Sequence, residues 1–429
     1  MDLFGDLPPA TAPPKVPGAS PAAALRERGP ALPSSSEGGD AAPATAAKRP
    51  RPECGSPEGA AAAPSKRKSA AGATAGGLKP HRVKVTVAAA THQGRRAKME
   101  DAHVSVDAAA FRLLLPDLPE DARVEIYAVL DGHNGRAVAD AAADLLPKHV
   151  AAELGALRKP PQQAHAWHSK KKVQAALRRA CASVERDVCA VSAHDSQGCC
   201  CVACVIVQDD VHVINIGDSR AVLVRRDAQD QAAAPRQNDA LGETDVSGAS
   251  GVSQRFQHRF PWQLGSGEAP PAARAILLTT DHKAAAPAER ARIVAAGGFV
   301  DAGGRVGGAM EVSRSFGDAA LKRTNGKAVK DPAKCAINAD PDIKVRLSLE
   351  APRDELLILA CDGLWTRFNT IDAAQFVRCR VSAGASYDGG GARHDWTLEK
   401  VAKALVDDCV NQKNGTDNTS VLILQFHAR

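Results

Sequence analysis

The order of apolar and polar runs predicts an α+β fold in which β-sheets are flanked by α-helices. Short runs rich in Val and Ile, such as VACVIV, VHVINIGD and AVLVRR, follow one another with only brief turns between them. Helical spacing is confined to separate blocks before and after those runs. Strands and helices in blocks favour α+β over the strict alternation of a parallel sheet. No internal repeat is visible, and 44% apolar content over 429 residues suffices for one large or two medium cores.

Residues 1 to 80 are rich in Ala, Pro, Gly and Ser without a sustained hydrophobic period, which predicts a disordered tail. Two basic clusters lie in it, Lys48, Arg49 and Arg51 in KRPRP and Lys66, Arg67 and Lys68 in SKRK. Their spacing fits a bipartite nuclear import signal, in preference to a generic solvated basic stretch. The folded part, 81–429, opens with HRVKVTVAAA, where Val83, Val85 and Val87 alternate as in a half-buried strand. Helices are predicted at AVADAAADLLPKHVAAEL and VQAALRRACASVERDVCAV from apolar residues three and four apart. The three apolar runs that follow predict an antiparallel meander, turned at the Asp209 and Asp210 pair.

From about 227 to 272 the chain is polar and Gly-rich, which predicts an inserted surface loop. A strand at AILLTTD and a helix through PAERARIVAAGG, stopped by its Gly pair, come next. Strands are expected around ELLILACDG and SVLILQF, with helices at TIDAAQFVRCRV and TLEKVAKALVDDCVNQ between them.

Composition narrows the function. A net charge of +6, spread over 55 basic and 49 acidic residues, gives no concentrated basic face for nucleic acid. No run approaches the ~18 apolar residues a membrane span needs, and no signal-peptide core follows Met1. The eleven cysteines lack the spacing of a disulfide framework, so an intracellular setting, cytoplasmic or nuclear, is expected. Cys199, Cys200, Cys201 and Cys204 fall in an apolar strand pattern and read as buried packing residues.

The chemistry lies in acidic residues placed at the ends of apolar runs. They are Glu100 and Asp101 in GRRAKMEDAH, Asp131 in VEIYAVLDGHNG, Asp218 in VHVINIGDSR, Asp362 in ELLILACDGLW and Asp417 in NGTDNTSVLILQF. A strand ending in a carboxylate beside a Gly holds charge at the rim of a sheet, where an ion can reach it. Oxygen-only donors suit magnesium, manganese or calcium better than zinc. Metal-assisted hydrolysis is the reaction class this pattern suggests. A nucleotide hydrolase would want a phosphate loop of the form GxxxxGK[ST], and the chain has none.

Taken in order, GRRAKMEDAH, DGHNG, GDSRAVL, TTDHK, RVGGAMEVSRSFGD, ADPDI, LACDGLW and GTDNTSVLILQF resemble the metal-dependent Ser/Thr protein phosphatases of type 2C, from about residue 81 to 427. The opening MDLFGDLP, the Lys-Arg clusters and LACDGLW further resemble the integrin-linked-kinase-associated subgroup. The resemblance implies two central antiparallel sheets packed face to face, flanked by helices, and two Mg²⁺ or Mn²⁺ ions sharing a bridging water. It implies that Asp131 bridges the ions, that the Gly132 carbonyl is a further ligand, that Asp362 and Asp417 complete one ion, and that Glu100 binds directly or through water, with Asp101 beside it.

It also implies that Arg96 binds the substrate phosphate, with Arg95 the adjacent competitor, and that His133 is the general acid for the leaving oxygen. Asp218 matches a ligand of a weaker third ion, or is a turn-fixing Asp. Thr366 stands where many members carry an Asp for that third ion, and Asn134 replaces a Gly in a turn that Asn can adopt. Structural roles are expected for Asp281, His282, Lys283, Ser313, Arg314 and Asp318, and Asn418 is expected to orient Asp417 or cap a turn. Phosphoproteins are the implied partners, with no nucleic acid and no membrane, and a monomer the implied form. The alternative is a pseudophosphatase, a binding module that keeps the fold without the chemistry.

Overall fold

A computed structural model describes residues 81–158, 167–227, 253–256, 272–324, 327–328, 334–346, 348–383, 385–387 and 393–429. The expected tail, and most of the expected loop at 227–272, lie outside the described residues. In chain order the elements begin with β1 (Val83–His92), β2 (Ala102–Val106), α1 (Ala108–Leu114), β3 (Val124–His133), α2 (Ala137–Ala156) and α3 (Lys170–Cys189). Next come β4 (Gly198–Val207), β5 (Asp210–Ile216), β6 (Arg220–Arg226), β7 (Ser253–Phe256), β8 (Ala273–Leu277) and α4 (Pro287–Ala295). Short strands β9 (Phe316–Gly317), β10 (Arg323–Thr324) and β11 (Lys327–Ala328) precede β12 (Asp342–Arg346) and β13 (Asp354–Ala360). The chain closes with α5 (Asp362–Trp365), α6 (Thr370–Ala383), β14 (Ala385–Tyr387), β15 (Arg393–Asp395), α7 (Leu398–Asp407) and β16 (Thr419–Ala428).

Two large sheets form the centre, one in the order β1-β16-β13-β6-β8-β7, the other in the order β12-β5-β4-β3-β2 with β9 added to β4. All their pairings are antiparallel. Period-two alternation decides which side chains meet. Tyr127, Val129, Val202, Cys204 and Ile206 of one sheet form one buried cluster with Leu223, Leu357, Leu359, Leu422 and Leu424 of the other. The opposite face of β3 and β4, carrying Ile126, Leu130, Cys201 and Val205, packs on α2 and α3 through Leu146, Leu154, Leu177 and Val184. The outer face of the other sheet, with Ile358, Val421 and Ile423, packs on α6 and α7 through Val377, Val401 and Leu405.

The result is helices, sheet, sheet, helices, as the resemblance implied. Strands covered on both faces must be apolar throughout, which is why GCCCVACVIV carries no alternation and is buried at every position. Each Val, Leu or Ile so buried contributes ~1.5–3 kcal/mol.

One expectation is corrected. The runs VHVINIGD and AVLVRR do not continue one meander: β5 pairs with β4, whereas β6 pairs with β13 and β8 in the other sheet. The chain changes sheet at Gly217, whose φ of +104° and lack of a side chain both matter, because a Cβ there would lie 2.3 Å from Cys200 Sγ. A second difference lies in the expected loop, where Ser253–Phe256 forms the edge strand β7 against β8. No helix among the described residues is long and apolar enough to cross a membrane.

Candidate metal centre

The elements converge on one edge of the sandwich. Asp131, Gly132 and His133 end β3, and Asp362 opens α5 directly after β13. Asp417 lies two residues before the start of β16, Asp218 sits where the chain changes sheet, and Arg96, Glu100 and Asp101 lie in the connection from β1 to β2. A cleft of about 320 Å³ opens there, lined by Arg96, Glu100, Asp131, Gly132, His133, Asp218, Asp362 and Asp417. Arg305, Met310 and Glu311 also line it. Arg95 does not line the cleft, so Arg96 is the arginine that faces it.

The close approach needs Gly132, since a Cβ there would meet the Glu100 carbonyl oxygen at 2.3 Å. The loop carrying Arg96 and Glu100 is held by Asn418. Its Oδ1 accepts from the Glu100 backbone N–H at 2.8 Å, and its Nδ2 donates to the Gln93 and Lys98 carbonyls at 2.8 and 3.0 Å. Asn418 therefore staples two distant segments, a role beyond the orienting of Asp417 or the turn cap expected of it.

The electrostatics are those of an anionic cluster with fewer cations than carboxylates among the described residues. Carboxylate oxygens of Asp131, Asp218 and Asp362 lie within 4.8 Å of one another, and an oxygen of Asp101 lies equally close to one of Asp131 and to the Cys361 sulfur. Asp101 is 2% exposed, and neither of its carboxylate oxygens has a hydrogen-bond partner among the described residues. Burial, ahead of the Asp417 charge, pushes the Asp101 carboxyl up to about 6. Burial and then the charges of Asp218 and Asp417 push Asp362 up to about 7. Asp131 is raised well above the carboxylate range, first by burial and then by Asp101, Asp362, Asp218 and Asp417.

The neighbouring cations are few. Arg96 Nη2 lies 2.6 Å from Asp417 Oδ2, with Arg96 itself 57% exposed, so its guanidinium edge remains open to solvent. Lys283 Nζ lies 3.1 Å from Asp218 Oδ2 and 2.8 Å from Glu311 Oε1. The thiols of Cys200 and Cys361, buried beside these carboxylates, are held far above their ordinary range. They remain protonated, consistent with packing roles.

His133 has a partner for which only a structural role was expected. Its Nε2 lies 3.0 and 2.9 Å from the two oxygens of Asp318. A carboxylate only accepts, so Nε2 carries the hydrogen. Asp318 is 2% exposed and in the left-handed region at φ 49°, and it accepts from the Ser315 hydroxyl at 2.5 Å. Its only sequence signal is the Gly-Asp ending of SRSFGD. Asn134 adopts φ 59°, the turn conformation anticipated for it, and donates to the Ser196 carbonyl.

TTDHK mainly fixes the sheet-changing segment. His282 Nδ1 accepts from the Gly217 N–H at 3.1 Å, and Asp281 takes both Arg220 nitrogens at 2.8 and 2.7 Å. Thr366 is exposed, outside the cleft lining, and its hydroxyl donates to the Gly363 carbonyl at 3.3 Å.

Comparison with known proteins is consistent with this geometry. The family model described as Protein phosphatase 2C matches residues 85–236 and 272–419. The chain is 28% identical over 337 residues to the Arabidopsis thaliana protein named "Probable protein phosphatase 2C 8", covering 79% of this chain and 77% of that one. It is 31% identical over 343 residues to "Probable protein phosphatase 2C 67" of Oryza sativa subsp. japonica, covering 79% and 74%. In fold it is similar to the crystal structure of serine-threonine phosphatase 2C from Toxoplasma gondii, with a TM-score of 0.54 at 18% identity, covering 81% of this chain and 98% of that one. These matches do not single out the integrin-linked-kinase-associated subgroup.

Proposed function

The chain belongs to the protein phosphatase 2C family, and we infer that it hydrolyses phosphoserine and phosphothreonine in proteins with two Mg²⁺ or Mn²⁺ ions held at this acidic edge. Metal dependence follows from the family, and the donor set fits hard cations. Five carboxylates, of Asp101, Asp131, Asp218, Asp362 and Asp417, repel one another in partial burial, and among the described residues no cation pairs with Asp101. That convergence is the observation that carries the reading. Asp131 is common to two groups of close ligand atoms, one with Asp101 and one with Asp218 and Asp362, and would be the carboxylate shared by both ions. Asp417, Glu100 and the Gly132 carbonyl complete the set. Two divalent ions held there would lower the pKa of a bound water and so supply hydroxide near neutral pH.

The remaining steps belong to the chain. The Arg96 fork, open at the cleft mouth, binds phosphate oxygens, and its pairing with Asp417 sets its direction. Asp318 accepts the Nε2 proton of His133, which fixes the ring and leaves Nδ1 to carry the proton given to the seryl or threonyl leaving oxygen. Ser315 holds Asp318 in turn. The binding-only alternative is not favoured, because each acidic residue and Arg96 is present at the edge.

We take 1–80 as a disordered tail and 81–429 as the catalytic domain, with an insertion near 227–272; the interruption of the family match between 236 and 272 supports the latter. The working form is taken as a monomer, inside the cell in cytoplasm or nucleus, acting on phosphoproteins and not on nucleic acid or membranes. The basic clusters of the tail support a nuclear share, which a fluorescent fusion with Lys66, Arg67 and Lys68 replaced by Ala would test by losing it. The activity is tested on a phosphothreonine peptide with Mn²⁺, with Mg²⁺ and with chelator. Turnover that chelator abolishes and Asp362→Asn removes is expected, and metal-independent turnover would overturn the reading.

A further inference from the structure

We propose that Glu185 of α3 and Lys322 form a clamp that positions Asp318, and through it the His133 ring, for proton transfer to the leaving oxygen. The proposal rests on the general-acid reading above. Glu185 makes two contacts with one carboxylate: Oε2 accepts from the Gly317 backbone N–H at 3.0 Å, and Oε1 lies 2.7 Å from Lys322 Nζ. The same Nζ donates to the Ser315 carbonyl at 2.7 Å. Ser315 is the residue whose hydroxyl binds Asp318, and Gly317 is the residue before it. Both are thereby tied to one point on α3.

Asp318 needs that support. It stands in the left-handed region at φ 49°, which a residue other than Gly keeps only where its surroundings over-determine it. Its own N–H donates to the Gln197 carbonyl at 2.7 Å, and the clamp fixes the residues on which its side chain depends. The geometry it must hold is narrow. Gly198 makes the room for the His133 contact, since a Cβ there would lie 2.2 Å from Asp318 Oδ2 and 2.5 Å from His133 Nε2. A small shift of Asp318 therefore either breaks the contact or closes on β4. The choice of residues points the same way. Lys322 is 8% exposed, and an ammonium is costly to bury unless it is paired and hydrogen-bonded, as this one is by Glu185 and Ser315. Neither Glu185 nor Lys322 lines the cleft, so both are positioning residues that act through Asp318 and not on the substrate.

The test compares Glu185→Ala, Lys322→Met, Asp318→Asn and the double variant Glu185→Ala/Asp318→Asn in the full-length chain with saturating Mn²⁺. Each is assayed on a phosphothreonine peptide and on p-nitrophenyl phosphate, whose leaving group needs no proton. Glu185→Ala and Lys322→Met should each lower kcat on the peptide about tenfold with KM unchanged, and lower aryl phosphate hydrolysis by far less. Adding Glu185→Ala to Asp318→Asn should cost nothing further on the peptide, because both act along one path. The retained aryl phosphate rate reports that a variant is folded, and Lys322→Met, close in shape to lysine, carries the comparison where Glu185→Ala does not fold. Equal losses on the two substrates, or losses that multiply in the double variant, would overturn the proposal. An Asp318→Asn variant that lost both activities equally would instead overturn the general-acid reading, and this proposal with it.

Discussion

Two sets of buried carboxylates in this molecule titrate in opposite directions. At the acidic edge, Asp362 is raised to about 7 and Asp101 to about 6, each first by burial and then by its neighbours. Some way along the chain, Glu289 of α4 is also buried, and burial alone would raise it. Hydrogen bonds from Arg314 and Ser313 and the charges of Arg314 and Arg292 bring it down to about 2. Arg314 Nη2 lies 2.5 Å from Glu289 Oε1, and the same arginine reaches Asp342 at 3.2 Å. Burial is common to both sets, and the supply of protein cations is not. The Glu289 network is complete as folded, whereas the edge cluster is built with a deficit of positive charge that a bound ion removes.

The largest difference should appear on neutralising one member of each set. Asp131→Asn removes a carboxylate shared by both halves of the edge cluster, and turnover should fall on the order of a thousandfold, several kcal/mol of transition-state stabilisation. The chelated variant should nonetheless melt higher than chelated wild type, because a repulsive charge is gone. Glu289→Gln should do the reverse. Leaving Arg314 and Arg292 short of a buried partner costs about 3–5 kcal/mol, read as a lowered denaturant midpoint, while the remaining folded enzyme keeps its rate.

A smaller effect separates Asp318 from both sets. Asp318→Asn should lower turnover of a phosphothreonine peptide about a hundredfold, and hydrolysis of an aryl phosphate, whose leaving group needs no proton, by far less. Equal losses on both substrates would reduce Asp318 to a structural residue. Smallest is Asn418→Ala, which frees the loop of Arg96 and Glu100 from three hydrogen bonds. A tenfold weaker Mn²⁺ affinity, corresponding to about 1.4 kcal/mol, is expected in a titration, and unchanged affinity would show that the loop holds itself.

The contrast also explains what is legible in the sequence. An apolar run flanked at one end by Asp is a local pattern, so Asp131 and Asp362 after their runs and Asp417 before its run are readable as an edge from the chain's own spacing. The helices α2, α3 and α7 are readable for the same reason. What is not readable depends on contacts between distant residues. The sheet change after β5 is set by Gly217 against Cys200, whereas VHVINIGDSRAVLVRR taken alone reads as a hairpin. Asp318 meets His133 across 185 positions and Asn418 meets Glu100 across 318, so neither pairing leaves a trace in the local pattern. The strand β7 escapes because four residues in a polar stretch carry too little periodicity to stand out.

The most direct test of the charge deficit at the edge is thermal melting of the full chain between pH 5 and 8, chelated and with Mn²⁺. Carboxyls raised to about 6 and 7 in the folded state give a contribution that is fully present below about pH 4 and lost as pH rises through those values. Glu289 cannot mask the trend, since its contribution is present above about pH 4.3 and lost only as pH falls toward 2. The chelated protein should therefore melt progressively lower from pH 5 to 8, and Mn²⁺ should raise the melting temperature most at pH 8. A melting temperature that is flat across this range and indifferent to Mn²⁺ would contradict the account.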